Sequence, residues 1–337
     1  MVREALPDEA WPGPVEALDG GALNQVCRVR GARRTVVFKC APPHVASQPD
    51  TPLSATRLGF EAEALRRFRD DPVFRDLASP ARPPALVHHD ARRNFLLMED
   101  LEGALPLDRA LAEGRAPSDA GARLGACIGA LHRASAGRQD LARAFDNRPV
   151  QRTRFDVQYA AAARWAEAAG AAADQLPAID ANAVALGERL LGPGRCWIMG
   201  DLWPPSILCR DRALHAIDWE FAHFGQPLQD RAHFLAHCRM HAIAAGDAEV
   251  AGRFRRCGRD FDRAYREALG ESDLDPDADR RDTRVHFGAE ILMRVLGPFS
   301  GSGPFASMGA NDPRARRAAR EAIALLADPD APDRLPG

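Results

Sequence analysis

The sequence predicts an α+β chain in two lobes: a small antiparallel-sheet lobe with one helix over residues 1–100, and a larger, mostly helical lobe over 101–337. Three observations carry this. Short β-prone runs crowd the first hundred residues, a 3.6-residue periodicity dominates from about residue 105, and between Cys196 and Asp218 that texture breaks into short apolar runs with turn residues. A chain of 337 residues with 46% hydrophobic content is long enough to bury a core in both parts.

The elements follow in order. Residues 26–30 and 34–39 read as strands parted by a turn at Gly31. A proline-rich loop through Pro52 leads to a helix from about 54 to 69, whose Leu58, Ala62, Leu65 and Phe68 form one apolar stripe. Residues 85–89 and 94–98 read as two further strands, and 98–103 as the exit from the sheet. Helical periodicity is expected over 120–135, 159–173, 228–245, 248–269, 285–296 and 314–326, with solvated loops at 275–282 and 301–304.

Composition excludes several classes. A net charge of −2 indicates no extended nucleic-acid surface. No apolar run reaches the roughly 18 residues of a membrane span, and the acidic start does not read as a secretory leader; a cytoplasmic location is expected. The seven cysteines are odd in number and never form a C-x-x-C pair, so reduced thiols are expected rather than a disulfide framework or a cysteine zinc site.

Among 45 lysines and arginines the sole lysine is Lys39. A compact ammonium in a chain that otherwise uses arginine suggests a site where a planar guanidinium does not substitute, such as a phosphate clamp. Its context agrees: Gly20 and Gly21 lie in a turn before the first strand, where backbone N–H groups can cover phosphates, and Lys39 ends the next strand in Val-Val-Phe-Lys, where kinase-type folds carry their phosphate-binding lysine. Glu61 and Glu63 follow on the helix; their spacing puts them on different faces, so one of them can meet Lys39.

The densest segment is Met199-Gly-Asp-Leu-Trp-Pro-Pro-Ser-Ile-Leu208, followed by Leu214-His-Ala-Ile-Asp-Trp-Glu220. An aspartate, a small polar residue five positions on, and a second aspartate closing an apolar run have the spacing of a phosphotransfer loop and its metal partner. Asp201 is the candidate to orient an acceptor hydroxyl, and Asp218 with Ser206 to hold Mg²⁺, with Glu220 assisting.

Gly200-Asp-Leu-Trp-Pro-Pro-Ser-Ile-Leu and Ile217-Asp-Trp-Glu resemble the signature of the aminoglycoside phosphotransferase and choline kinase-like superfamily. Gly21-Ala-Leu-Asn, Val37-Phe-Lys-Cys-Ala-Pro-Pro-His-Val, Phe60-Glu-Ala-Glu-Ala-Leu and Asp218-x-Glu-Phe-Ala-x-Phe-Gly resemble the methylthioribose kinases within it, as does Ser206 in place of the usual asparagine. The likeness runs from about residue 18 to 326. It implies a two-lobed protein-kinase-like fold, ATP and Mg²⁺ in the cleft, a hinge near Met98 to Leu101 with Glu99 at the nucleotide, Glu61 as partner of Lys39, a small-molecule hydroxyl substrate near Trp203 and Arg294, and room for a homodimer. Met199 stands where these kinases carry a histidine that braces the loop, so either another group braces it or activity is reduced. Met293 replaces one of two adjacent arginines beside Arg294, which points to a related sugar-like or amino-alcohol acceptor.

Two rivals are weighed. His233, His237 and His241 recur every four residues and could hold zinc, though no H-E-x-x-H pattern accompanies them. A kinase-fold protein that binds nucleotide or metabolite without transfer is the functional alternative.

Overall fold

In the computed structural model, which describes residues 1–18, 23–46, 48–309 and 311–331, the first lobe is a five-stranded antiparallel sheet. Its strands are β1 (Val15–Ala17), β2 (Gln25–Arg30), β3 (Thr35–Cys40), β4 (Leu86–Asp90) and β5 (Phe95–Glu99), in the order β1-β2-β3-β5-β4. The two-residue period of β3 explains both faces. Val36 and Phe38 turn to a cluster with Trp11, Val29, Phe95 and Leu97. Val37, with Lys39 on the same face by parity, packs with Leu58, Leu96 and Met98 below α1 (Arg57–Asp70). The proline-rich loop closes into a short pair, His44–Val45 against Gln48–Pro52.

The other flank of α1 does not stop at the lobe boundary. Ala64, Leu65 and Phe68 belong to the main core, which continues into residues beyond 250. There Phe68 meets Trp219 at 4.7 Å and Trp197 at 5.0 Å, centroid to centroid. This packing seats the helix that carries Glu61 directly on the segment that carries Asp218.

The second lobe holds α2 (Ala120–Ser135), α3 (Arg148–Arg154), α4 (Leu176–Leu190), α5 (Leu228–Ala244), α6 (Ala248–Leu269), α7 (Arg280–Leu296) and α8 (Pro313–Ala327), with shorter helices between some of them. Glycines at every fourth position let α2 lie against α6: a Cβ on Gly121 or Gly125 would stand 2.2 Å from the carbonyl oxygen of Cys257 or Phe261. Small paired strands, β6 (Cys196–Ile198) with β9 (His223–Gly225) and β7 (Ile207–Arg210) with β8 (Ala213–Ala216), carry the motif loops.

The alanine-rich stretch expected as one helix over 159–173 is broken. Only Ala162–Ala168 is α-helical there, preceded by a wide turn over Phe155–Tyr159 and ended before Gly170 at φ +87°. The following helix, α4, buries Ile179, Ala183 and Leu186 against α8 and α7. Alanine has high helix propensity but contributes little burial, so packing rather than propensity decides where these helices run. The helix expected from 285 begins at Arg280, inside the stretch read as loop.

Candidate active site

Lys39 is 1% exposed, and its ammonium lies 2.8 Å from Glu61 Oε2, 2.7 Å from Asp218 Oδ1 and 3.7 Å from Glu220 Oε1. Burial alone would lower its pKa; the three carboxylates outweigh that and hold it above the ordinary lysine value. Burial pushes Glu61 up to about 7, with Lys39 pulling the other way and Asp218 and Glu220 adding to the rise. Glu63, on another face of α1, pairs with Arg67 at 2.9 Å instead.

Asp218 adopts a left-handed backbone, φ 64° and ψ 53°, uncommon for a residue other than glycine. Its side chain is 44% exposed, on the wall of the cleft. Ser206 is fully buried, and its hydroxyl has no hydrogen-bond partner among the described residues. The backbone N–H of Ile217 donates to the Ser206 carbonyl at 2.9 Å, bringing the two motif segments together. A buried hydroxyl without a partner and a half-exposed carboxylate, carried on two adjoining segments, are oxygen donors of the kind Mg²⁺ takes.

Glu220 sits behind this pair with both oxygens engaged: Oε1 accepts from Asn24 Nδ2 at 2.7 Å and Oε2 from Arg57 Nε at 2.9 Å. Arg57 is fully buried and also donates to the carbonyls of Leu23, Pro42 and Ser54 and to Asn24 Oδ1. One guanidinium thus ties Leu23 and Asn24 ahead of β2, the loop after β3 and the start of α1 to the second motif. Nothing local in the sequence sets Arg57 apart, because arginine is so common in this chain.

Asp201 lies farther along the same cleft, a cavity of about 730 Å³ lined by Lys39, Asp218, Asp201, Trp203 and Arg294 among others. Its Oδ1 accepts from Arg154 Nη2 at 2.8 Å and lies 3.3 Å from His233 Nε2. Burial raises its pKa, opposed by Arg154 and Arg294. The loop is braced without a histidine at 199. The Asp230 carboxylate accepts the backbone N–H groups of Met199 at 2.8 Å and Gly200 at 2.7 Å, and is itself 3.2 Å from His132 Nε2. Gly200, at φ +81°, is required here, since a Cβ would stand 2.3 Å from the Phe221 carbonyl oxygen.

Trp203 lines the cavity with Arg294 stacked on its ring at 4.6 Å. Arg294 is buried and donates to Glu290 at 2.8 Å. The Glu99 side chain turns to Arg82 and the Ala85 N–H, and Glu99, Asp100 and Leu101 line one wall of the cavity. Gly20 and Gly21 lie outside the described residues. Of the histidine stripe, His233 and His237 converge with Glu290, whereas His241 stacks on Phe254 at 4.6 Å. Arg294 already bonds Glu290 and Arg154 lies nearby, so the cluster reads as an ion-pair network with cations in place. Among the described residues no helix is long and apolar enough to cross a membrane.

The chain is similar to several known proteins. A 4-hydroxytryptamine kinase from Psilocybe cyanescens is 26% identical over 254 residues, covering 68% of this chain and 69% of the relative. Among solved structures, a choline kinase from Streptococcus pneumoniae superposes with a TM-score of 0.53 at 14% identity, covering 97% of this chain and 98% of the other. A choline kinase from Cryptosporidium parvum reaches 0.57 at 13% identity, with 94% and 90% covered. The APH(2")-IIa complex with streptomycin and ATP gives 0.51 at 14% identity, with 97% and 96% covered. The α+β, two-lobed architecture with an antiparallel-sheet first lobe is therefore that of the protein-kinase-like phosphotransferases. With residues 14–270 matching it, this chain belongs to the phosphotransferase enzyme family, designated APH.

Proposed function

We propose that the protein is an ATP- and Mg²⁺-dependent kinase that phosphorylates a hydroxyl of a small sugar-like or amino-alcohol metabolite, by direct transfer. The observation that carries this is the joining of buried Lys39 and Glu61 with Asp218, on the cleft wall, in one ion-pair cluster in the same cleft as Asp201. Lys39 and the backbone of the glycine turn hold the nucleotide phosphates; Asp218 and the free hydroxyl of Ser206 hold the metal, which supplies neutralising charge to the phosphates. Glu61 fixes Lys39, and Glu220 fixes Asn24 and Arg57 behind the cluster. Asp201 orients the acceptor hydroxyl and takes its proton. Trp203 and Arg294 face the acceptor half of the cleft.

The likeness to kinases of choline, a hydroxylated tryptamine and aminoglycosides supports the reaction class. The resemblance of short motifs to methylthioribose kinase keeps sugar acceptors in view. A coupled ATP-consumption screen over methylthioribose, other pentoses, amino alcohols and aminoglycosides tests the reading. Saturable turnover on one acceptor is expected. Tight Mg·ATP binding without turnover on any of them would replace it with a nucleotide-binding role.

A further inference from the structure

Behind Asp201 lies a buried chain that phosphoryl transfer as described above does not use. His233 on α5 stands between two carboxylates: its Nε2 is 3.3 Å from Asp201 Oδ1 and its Nδ1 is 3.5 Å from Glu290 Oε2 on α7. His233 is fully buried, yet neither ring nitrogen has a hydrogen bond of good geometry, and Glu290 Oε2 is unpartnered too, among the described residues. A neutral imidazole has one N–H and so can satisfy one of its two carboxylates, leaving a lone pair facing the other. The chain is one proton short.

The neighbours decide where the single N–H points. Asp201 Oδ1 already accepts from Arg154, whereas Glu290 Oε2 accepts from nothing described, its Oε1 being held by His237 Nε2 at 3.0 Å and Arg294 Nε at 2.8 Å. The Nδ1–H therefore belongs to Glu290, and the bare Nε2 faces Asp201. We propose that His233, oriented by Glu290, is a positioning residue that accepts a hydrogen bond from Asp201 once Asp201 has taken the acceptor's proton.

This rests on the kinase reading of the site. The acceptor O–H bond breaks as its oxygen bonds to phosphorus, and the bridging P–O bond breaks with its electron pair leaving on the nucleoside diphosphate. The proton passes to the Asp201 carboxyl, which carries it on the oxygen facing His233 Nε2 until solvent removes it after product departure. The charged and titratable groups around His233 are Asp201 on its loop, Arg154 on α3, Glu290 and His286 on α7, and His237 on its own helix. Burial lowers His233 well below the ordinary imidazole value and raises Asp201, both of which favour a neutral ring beside a protonated Asp201.

Two measurements test this, the first independent of turnover. Long-range ¹H–¹⁵N spectra of histidine-labelled protein, with the signal assigned by its loss in His233→Asn, are expected to show the Nδ1–H tautomer of His233, changing toward Nε2–H in Glu290→Gln. In the second, Glu290→Gln lowers kcat about 10-fold or more and moves its acidic limb to lower pH, because an Nε2–H donor stabilises the Asp201 carboxylate and weakens it as a base. The KM for ATP stays within about twofold. An Nε2–H tautomer in the unsubstituted protein, a limb that does not move, or one equivalent of zinc bound to purified protein and lost in Glu290→Gln would overturn the proposal. Should no acceptor be turned over, the kinase reading fails on that count, and the tautomer still decides the orientation of His233.

Discussion

Lys39 Nζ lies 2.7 Å from Asp218 Oδ1, a contact between residues 179 positions apart that joins the sheet of the first lobe to the second motif segment in the other lobe. The same ammonium holds the buried Glu61, so one cation keeps carboxylates from two lobes together. Lys39→Met leaves them unpaired and is expected to cost about 3–5 kcal/mol at pH 7.5. The deficit narrows at pH 5.5, where an unpaired carboxylate can neutralise itself by taking a proton. Urea midpoints at the two pH values, and a loss of Mg·ATP binding by calorimetry, check this; a variant as stable as the parent at pH 7.5 would contradict the buried cluster.

Arg57 offers a comparable test away from the lysine. Arg57→Leu strands the Glu220 carboxylate and several loop carbonyls, with an expected loss of about 3–5 kcal/mol in urea unfolding. A change under about 0.5 kcal/mol, the size of an ordinary surface substitution, would show that these bonds do not form.

Asp201→Asn keeps the shape of the loop but removes the charge that the proposed mechanism uses to take the acceptor proton. The expected fall in kcat is about 10²- to 10⁴-fold, with Mg·ATP affinity within a few-fold of the parent. Undiminished turnover on the identified acceptor would remove Asp201 from the chemistry.

Asp230 supplies the brace that Met199 cannot. Asp230→Ala frees two buried backbone N–H groups and the His132 ring, so a loss of about 1–3 kcal/mol per stranded group is expected, together with a lower kcat. Restored turnover in Asp230→Ala carrying Met199→His would show that the two braces are interchangeable; calorimetric melting and turnover on the double variant are the measurements.

His241 predicts an acid limit to stability. Burial against Phe254, helped by His237, lowers its pKa to about 3 from the ordinary 6.5. Below pH 6.5 the unfolded chain takes up a proton that the folded one refuses, so stability present above 6.5 is lost as pH falls toward 3, by about 1.4 kcal/mol per unit. His241→Phe should flatten the dependence of the urea midpoint between pH 6.5 and 5; an unaltered slope would show that His241 is not the group responsible.

Two kinds of residue were legible in the sequence. Lys39 showed because it is rare, and the 199–220 block because its aspartates and serine are close in the chain and their spacing is set by one loop. Arg57, Arg154, Asp230 and Glu290 were not legible as site residues, and His233 stood out only as part of a histidine stripe. Each is an ordinary member of a helix, and the partners that give it a role lie from 30 residues away, between Asp230 and Gly200, to 163, between Arg57 and Glu220. The 159–173 stretch failed for a related reason, since a run of alanines has propensity without a face to bury.

By itself, then, the sequence determined the two-lobed α+β plan and the residue types of phosphoryl transfer, because strand alternation, helical period and loop spacing are local properties. Only the tertiary structure decided that Glu61 rather than Glu63 meets Lys39, that Asp230 replaces the absent histidine, and that Asp201 is backed by Arg154, His233 and Glu290. Those choices depend on which faces of α1, α3, α5 and α7 are driven together by burial. A buried charge then needs whatever partner that packing brings within reach.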